Sequence, residues 1–281
     1  MSSLQMAVLG LMRRTLSDET RTRLKSWLLP DESVGRFAHD GPRPADAPAP
    51  TALEEIFWAH EGNPTDKWHH YLPVYDRYLA PYRGTGVRYL EIGVSSGGSL
   101  QVMRRYLGED AVIFGIDIDE RCRTLDGQGG RVRIGSQADP AFLEAVVEEM
   151  GGVDVVVDDG SHISEHIRAS FDVLFPRLPA GGLYIAEDLH CCYFRGHLAG
   201  YRSPRSFIEH AKSIVDDMHV PYHGRGVRVP AAEGQVPAVH FYDSMVVIEK
   251  RPVPPPRHTV RGGGGVVFHK TDPRLSPVED A

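Results

Sequence analysis

Cysteine is scarce: the 281 residues contain three, Cys122, Cys191 and Cys192, and two of these are adjacent. That number and spacing exclude a disulfide framework and favour a reducing compartment. Long apolar runs are missing too, since no stretch approaches the roughly 20 residues needed to span a bilayer. The opening MSSLQMAVLGLMRRTL has a short apolar run but no preceding basic region and no small-residue cleavage site. No signal peptide is expected, and the reading is a cytoplasmic protein with no membrane partner. Nor is there an excess of basic residues: 31 Lys and Arg stand against 38 Asp and Glu, a formal charge of -7. Such a balance argues against a general affinity for nucleic acid phosphates, so the expected partner is a small molecule.

What is present falls into three parts. Residues 1–50 form a helical extension and a Pro/Ala-rich linker. Leu4 to Leu29 carries apolar residues at near-helical spacing with Arg13, Arg14, Arg21, Arg23 and Lys25 interleaved. Because Asp18 and Glu19 interrupt the basic face, packing on the main domain or a second subunit is favoured over membrane association. "LLPDESVGRFAHDGPRPADAPAPT" then reads as a linker. Residues 51–251 form the main domain, in which "VRYLEIGVSS", "AVIFGIDID", "RVRIGSQ", "VDVVVDD" and "GGLYIAEDL" read as strands. Between them, "GSLQVMRRYLGE", "PAFLEAVVEEMG" and "SEHIRASFDVLFPRL" read as helices. Repeated βαβ order predicts an α/β fold, a doubly wound and mostly parallel sheet. "AVHFYDSMVVIEKR" adds an antiparallel edge pair turning at Asp243-Ser244. Residues 252–281 form a C-terminal tail with a candidate strand at "VVFHK".

The first strand runs into "YLEIGVSSGGSL". A dinucleotide loop would place glycines at its first, third and sixth positions. Here Ser95 holds the third position, and Gly97 and Gly98 the fifth and sixth, which fits that pattern poorly. S-adenosylmethionine has no phosphates and carries a cationic end, which an acid just before the loop, Glu91, suits. Asp117 closes the second strand, where a carboxylate can accept both ribose hydroxyls; NAD would be served equally well, so Asp117 alone decides nothing. Gly93, Gly97 and Ser99 of the loop are cofactor-binding candidates. So are Ser136 and Gln137, at the corner of "GSQADP" beside the expected adenine, and Asp158 at the end of the fourth strand.

Two further strand ends carry acids: Asp158-Asp159 in "VDVVVDDGSHISEH" and Glu187-Asp188 in "GGLYIAEDL". Neighbouring strands would bring Asp159, Glu187 and Asp188 together at the carboxyl edge. Carboxylates that close repel one another, and the arrangement is tolerated mainly by sharing a proton or binding a cation. Oxygen donors favour Mg²⁺ or Mn²⁺ over zinc or copper. His162 lies three residues beyond Asp159, where a neutral imidazole can take the proton of an acceptor hydroxyl. Helix capping by this stretch explains Ser164 but does not require both acidic pairs. The His162/His166 pair and the His190-Cys191-Cys192 run are nominal zinc sets. No Glu follows the first histidine, and adjacent ligands rarely reach one metal.

These residues resemble a known group: the metal-dependent class I methyltransferases that methylate sugar hydroxyls of glycosylated natural products, the mycinamicin and demethylmacrocin deoxysugar O-methyltransferases. The resemblance rests on "EIGVSSGGSL", "GIDI", "DDGSHISEH", "LFPRLPAGGLYIAEDLH" and, upstream, "GNPTDKWHHYLPVYDRYL". It covers about Gly62 to Tyr193. It implies a Rossmann-like fold, S-adenosylmethionine and Mg²⁺ as cofactors, Asp159, Glu187 and Asp188 as metal ligands, and His162 as general base. It also implies cofactor contacts at Glu91 and Asp117. The segment containing Thr65 and Lys67 would fold over cofactor or substrate, and is itself expected to be an N-capped amphipathic helix. The implied partner is a glycoside from antibiotic biosynthesis, and a homo-oligomer is expected. The sequence departs from the pattern in its short N-terminal region, where some relatives carry a large auxiliary domain, so the resemblance leaves acceptor identity and subunit number open. The acceptor pocket is expected to draw on Phe194 to Val236, where "YRSPRSFIEH" and "VPYHGRGVRVP" offer aromatics and arginines.

Three rival functions remain at this level. A phenol or catechol would also present vicinal oxygens to magnesium. An NAD-dependent oxidoreductase could share the fold, although the loop spacing is wrong and there is no obvious Tyr-Lys or Cys catalytic pair. A non-catalytic subunit of a tailoring complex would have no reason to concentrate so much mutual repulsion.

Overall fold

A computed structural model of the chain describes residues 47–219 and 235–254 continuously, with a few flanking positions out to Gly262. The expected N-terminal helix, the linker up to residue 42, "VVFHK" and most of "VPYHGRGVRVP" lie outside the described residues.

Among the described residues two helices precede the sheet, α1 (Ala52–Trp58) and α2 (Tyr71–Leu79). Helix α1 starts on a capping box: the Thr51 hydroxyl accepts from the Glu54 amide while the Glu54 carboxylate accepts from the Thr51 amide. Such reciprocal pairs satisfy donors that the first turn leaves without partners. The alternation that follows is β1 (Arg88–Ile92), α3 (Gly98–Leu107), β2 (Val112–Asp117), β3 (Arg131–Ile134), α4 (Pro140–Met150), β4 (Val155–Asp158), α5 (Ser164–Leu174) and β5 (Gly182–Ala186). After α6 (Phe207–Ser213) and α7 (Val215–Met218), the hairpin β6 (Val239–Tyr242) and β7 (Met245–Lys250) closes the domain.

The sheet has seven strands in the order β3-β2-β1-β4-β5-β7-β6. The first five are parallel, β7 runs antiparallel to β5, and Tyr242 pairs with Met245 across the Asp243-Ser244 turn. The doubly wound sheet and its antiparallel edge are therefore as the apolar runs predict. Strand order reverses between β1 and β4, and ligands in such sheets bind outside the carboxyl ends at that point.

The period of two along each strand divides the interior into two cores. Leu90, Ile92, Phe114, Ile116, Val156, Tyr184 and Ile248 face α4, α5 and α6. Tyr89, Ile113, Val155, Val157, Ile185 and Val247 face α1, α2 and α3. Each fully buried Val, Leu, Ile or Phe side chain contributes about 1.5–3 kcal/mol. The same alternation sends adjacent strand-end residues to opposite sides of the sheet.

Two local expectations need correction. Residues 65–70 are not helical; α2 begins only at Tyr71, with no side-chain cap, because Asn63 to Lys67 are held elsewhere by the bonds described below. Ser164 is the first residue of α5 rather than its cap. The position before it is Ile163, whose amide is taken by the Ser161 hydroxyl.

Candidate active site

The carboxyl edge at the β1/β4 reversal opens into a cavity of about 490 Å³. One wall is the β1–α3 loop from Gly93 to Ser99, another is Pro64 to Trp68, and the floor carries Asp159, Gly160, His162, Glu187 and Asp188. Gly93 has φ +94° and faces the β4 end so closely that a Cβ would run into the Asp159 carbonyl. Gly98 opens α3 directly beneath the carbonyls of Asn63 and Pro64. The two glycines let both walls approach the first strand; any side chain would push them apart.

Asp117 organises the loop. Its carboxylate accepts from the amides of Val94 at 2.9 Å and Ser95 at 3.0 Å, and from that of Asp119 at 2.9 Å, while still lining the cavity. Glu91 is almost wholly buried, and burial raises its pKa above the ordinary carboxylate range. It accepts from the Tyr89 hydroxyl at 2.9 Å and from the Ser99 hydroxyl, so Ser99 stands between Glu91 and the cavity. Gly97, in the left-handed region at φ 81°, caps α3.

The acids of the floor are held by one segment. Lys67 donates to Asp159 and, at 2.7 Å, to Glu187; Tyr71 donates to Asp188 at 2.8 Å; and Tyr75 donates to Glu187. Tyr71 and Tyr75, four apart on one face of α2, and Lys67 from the non-helical stretch before it present three donors to three carboxylates. Both remedies for crowded acids are found here. Burial, then the Asp159 charge, push Glu187 up to about 8, against the pull of the Lys67 ammonium. Burial opposes the charge on Lys67, but Asp159, Glu187 and Glu91 together override it and hold the ammonium well above its usual range.

His162 adopts φ 53°, a left-handed conformation uncommon outside glycine. The turn directs Nε2 to 3.7 Å from Asp188 Oδ2, and Nδ1 is buried without a hydrogen-bond partner. Asp188 is itself left-handed at φ 53°, with His190 Nδ1 3.8 Å away. Paired strained residues at a strand end are characteristic of sites whose geometry is over-determined by their surroundings.

Donor atoms of Asp159, His162 and Asp188 lie within 4.8 Å of one another, a set able to hold one divalent ion. The two carboxylates of this set are hard oxygen donors of the kind that suit Mg²⁺ or Mn²⁺. The Lys67 ammonium already stands as a cation against Asp159, which is further evidence that the position accepts positive charge. Glu187 borders the same floor but is taken up by Lys67 and Tyr75.

The structure gathers Thr65, Lys67, Gly93, Ser99, Asp117, Asp159, His162, Glu187 and Asp188 around the cavity. It does not bring Asp158 there. That carboxylate is 1% exposed on the opposite side of the sheet, where it accepts from Gln137 at 3.0 Å, Ser170 at 2.6 Å and Tyr184 at 2.6 Å. Gln137 is buried with it, and neither Ser136 nor Gln137 lines the cavity. His166 bonds Ser161 rather than approaching His162, and Cys191 and Cys192 are buried. Sequence reasoning missed Tyr71, Tyr75 and the Trp68–His190 ring pair, whose centroids are 6.0 Å apart. The four-residue spacing in "KWHHYLPVY" was the available signal for the tyrosines.

Comparison with known proteins agrees with this geometry. Residues 90–189 match the model of a family described as a methyltransferase domain. The chain is 34% identical over 240 residues to the 8-demethyl-8-alpha-L-rhamnosyl tetracenomycin-C 2'-O-methyltransferase of Streptomyces olivaceus, covering 76% of this chain and 63% of that protein. It is 36% identical over 201 residues to the demethylmacrocin O-methyltransferase of Streptomyces fradiae, covering 66% and 50%. Among solved structures it is similar to the MycE methyltransferase of the mycinamycin pathway in complex with Mg, SAH and mycinamycin VI. That match has a TM-score of 0.65 and 30% identity, and covers 71% of this chain and 53% of MycE. The chain thus spans half to just under two thirds of the length of these relatives.

Proposed function

The chain carries a class I S-adenosylmethionine-dependent methyltransferase domain closely related to those of the deoxysugar O-methyltransferases of antibiotic biosynthesis, and on that premise we propose that it methylates a sugar hydroxyl of a glycosylated natural product, using S-adenosylmethionine and Mg²⁺. The observation that carries the reading is the convergence of Asp159, His162, Glu187 and Asp188 on the floor of a cavity walled by the Gly93–Ser99 loop. The MycE structure, which holds Mg and SAH, supports the cofactors.

In this reading Asp159, Glu187 and Asp188 hold the magnesium ion, which when bound supplies Lewis-acid polarisation to the acceptor. The chain's own residues do the rest. His162 Nε2 takes the hydroxyl proton, and Asp188 at 3.7 Å steadies the imidazolium that forms. Tyr71 and Tyr75 fix the carboxylates, so the acids need no reorganisation during the reaction. Glu91, held by Ser99 and Tyr89, places negative charge behind the loop where the cationic end of the cofactor would lie. The Thr65–Trp68 wall keeps water from the line of methyl transfer.

Residues 51–251 serve as the methyltransferase domain in this proposal. A homo-oligomer is supported by the β6 edge, which pairs with no further strand among the described residues and where Phe241 is exposed; a monomer by light scattering would remove that part. Among the described residues no helix is long and apolar enough to cross a membrane. The deciding assay measures transfer of labelled methyl from S-adenosylmethionine to deoxysugar glycosides and to catechols, with and without EDTA. EDTA-sensitive methylation of a glycoside is expected. Transfer only to catechols would move the acceptor class, and EDTA-resistant transfer would sink the metal assignment.

A further inference from the structure

The cavity holds an imbalance. Its lining includes the carboxylates Asp66, Asp117, Asp159, Glu187 and Asp188, against one Lys or Arg side chain, Lys67. That ammonium is engaged: it donates to Asp159 and Glu187, and its side chain is 8% exposed. A ligand bearing its own carboxylate therefore meets a surface of like charge whose one Lys or Arg among the described residues is already engaged. Electrostatic cost rises steeply in such a partly enclosed site.

We propose that Lys67 couples the two ligands of this cavity: when a divalent cation takes over Asp159 and Glu187, the Lys67 ammonium is released to pair with the carboxylate of the S-adenosylmethionine amino-acid tail, so that each ligand strengthens binding of the other. The inference rests on the methyltransferase reading above. Its physical basis is exclusion: an ammonium and a divalent cation cannot both sit against the same carboxylate oxygens without strong repulsion. Lys67 belongs to the Pro64–Trp68 wall, so on leaving the acids its head group stays in the cavity, where the incoming carboxylate is the unneutralised anion a ligand would bring. The wall is pinned on its other side, the Asn63 amide donating to Gln101 at 2.9 Å and its carbonyl lying 2.8 Å from His60 Nε2. The exchange thus needs a side-chain movement rather than detachment of the segment.

Calorimetric titration of the full chain tests this with S-adenosylhomocysteine, with 5′-methylthioadenosine, which lacks the carboxylate, and with Mg²⁺ alone. Saturating Mg²⁺ is expected to tighten S-adenosylhomocysteine about fivefold or more, the lower end of ordinary coupling, and S-adenosylhomocysteine must tighten Mg²⁺ by the same factor. Methylthioadenosine should bind equally with and without the metal. Lys67→Met should bind both ligands with a coupling factor near one, whereas Lys67→Arg, which keeps the charge, should retain it. No coupling in the unaltered chain, coupling that survives in Lys67→Met, or equal coupling with methylthioadenosine would each overturn the proposal. Should Lys67→Met fail to fold, the methylthioadenosine comparison decides alone. Failure of S-adenosylhomocysteine to bind under any condition would instead overturn the methyltransferase reading, and this inference with it.

Discussion

Two acidic centres stand one residue apart at the end of β4, and they have opposite fates. Asp158 points into the core beneath α4 and α5, where Gln137, Ser170 and Tyr184 satisfy it and solvent does not reach. Asp159 faces the cavity, where a lysine from 92 positions earlier holds it beside Glu187. The first centre consists of neutral donors around one charge and ties two helices to the sheet. The second places several charges around a void. A buried carboxylate with a full set of donors is structural, whereas carboxylates balanced by a displaceable cation are poised for a ligand.

Substitutions can break this contrast in order of expected effect. Asp159→Asn should remove metal-dependent turnover altogether and abolish Mg²⁺ binding measured by calorimetry; Mg²⁺ binding at unaltered affinity would mean that Asp159 is not a ligand. His162→Ala should lose about 10²–10⁴-fold in transfer rate while S-adenosylhomocysteine binds normally, and an unchanged rate would take the proton-transfer role away from it. Tyr75→Phe leaves Glu187 with one donor fewer, and a loss of about 10–100-fold in metal affinity is expected.

The other centre should respond in stability alone. Asp158→Ala removes the shared acceptor of Gln137, Ser170 and Tyr184; Ser170 and Tyr184 keep the carbonyl of Ile167, and the Gln137 amide left without a partner costs about 1–3 kcal/mol. Thermal unfolding should move to lower temperature while Mg²⁺ affinity stays as it was. If the metal site weakened instead, the two centres would be energetically one.

Acidity sharpens the same comparison. Glu187 carries its proton below about 8, since burial and Asp159 raise it. As a ligand it must lose that proton, so apparent Mg²⁺ affinity should climb as pH rises toward 8 and level off above. For folding without metal the sign is the reverse. The folded state holds more protons than the unfolded one between the ordinary carboxylate range and about 8, so this group's contribution to stability falls as pH rises through that window. A flat metal affinity across it would show that Glu187 is ionised throughout.

Much of the fold was legible locally. Continuous runs such as "VDVVV" suit a parallel strand covered on both faces, and Asp139-Pro140 starts α4 with the side chain accepting from the amides of Ala141 and Phe142. Capping was harder to read. "TDKWHHY" has the composition of a helix start, yet its Lys67 is committed to Asp159 and Glu187 and its Tyr71 to Asp188, and tertiary bonds override propensity there. Among the candidate site residues, those on strand ends were easiest to anticipate, because parallel topology alone sends the ends of β1, β4 and β5 to one edge.

The sequence by itself determined which acids arrive at that edge, since the repeated βαβ alternation that makes the strands parallel follows from short-range pattern. It could not separate Asp158 from Asp159, because both are strand-end carboxylates and their difference is which face each meets. Nor could it say what neutralises Asp159, Glu187 and Asp188. That was decided only when α2 and the segment before it packed across the sheet and delivered Lys67, Tyr71 and Tyr75, because Coulomb and hydrogen-bond energies depend on distance in space and not on separation along the chain.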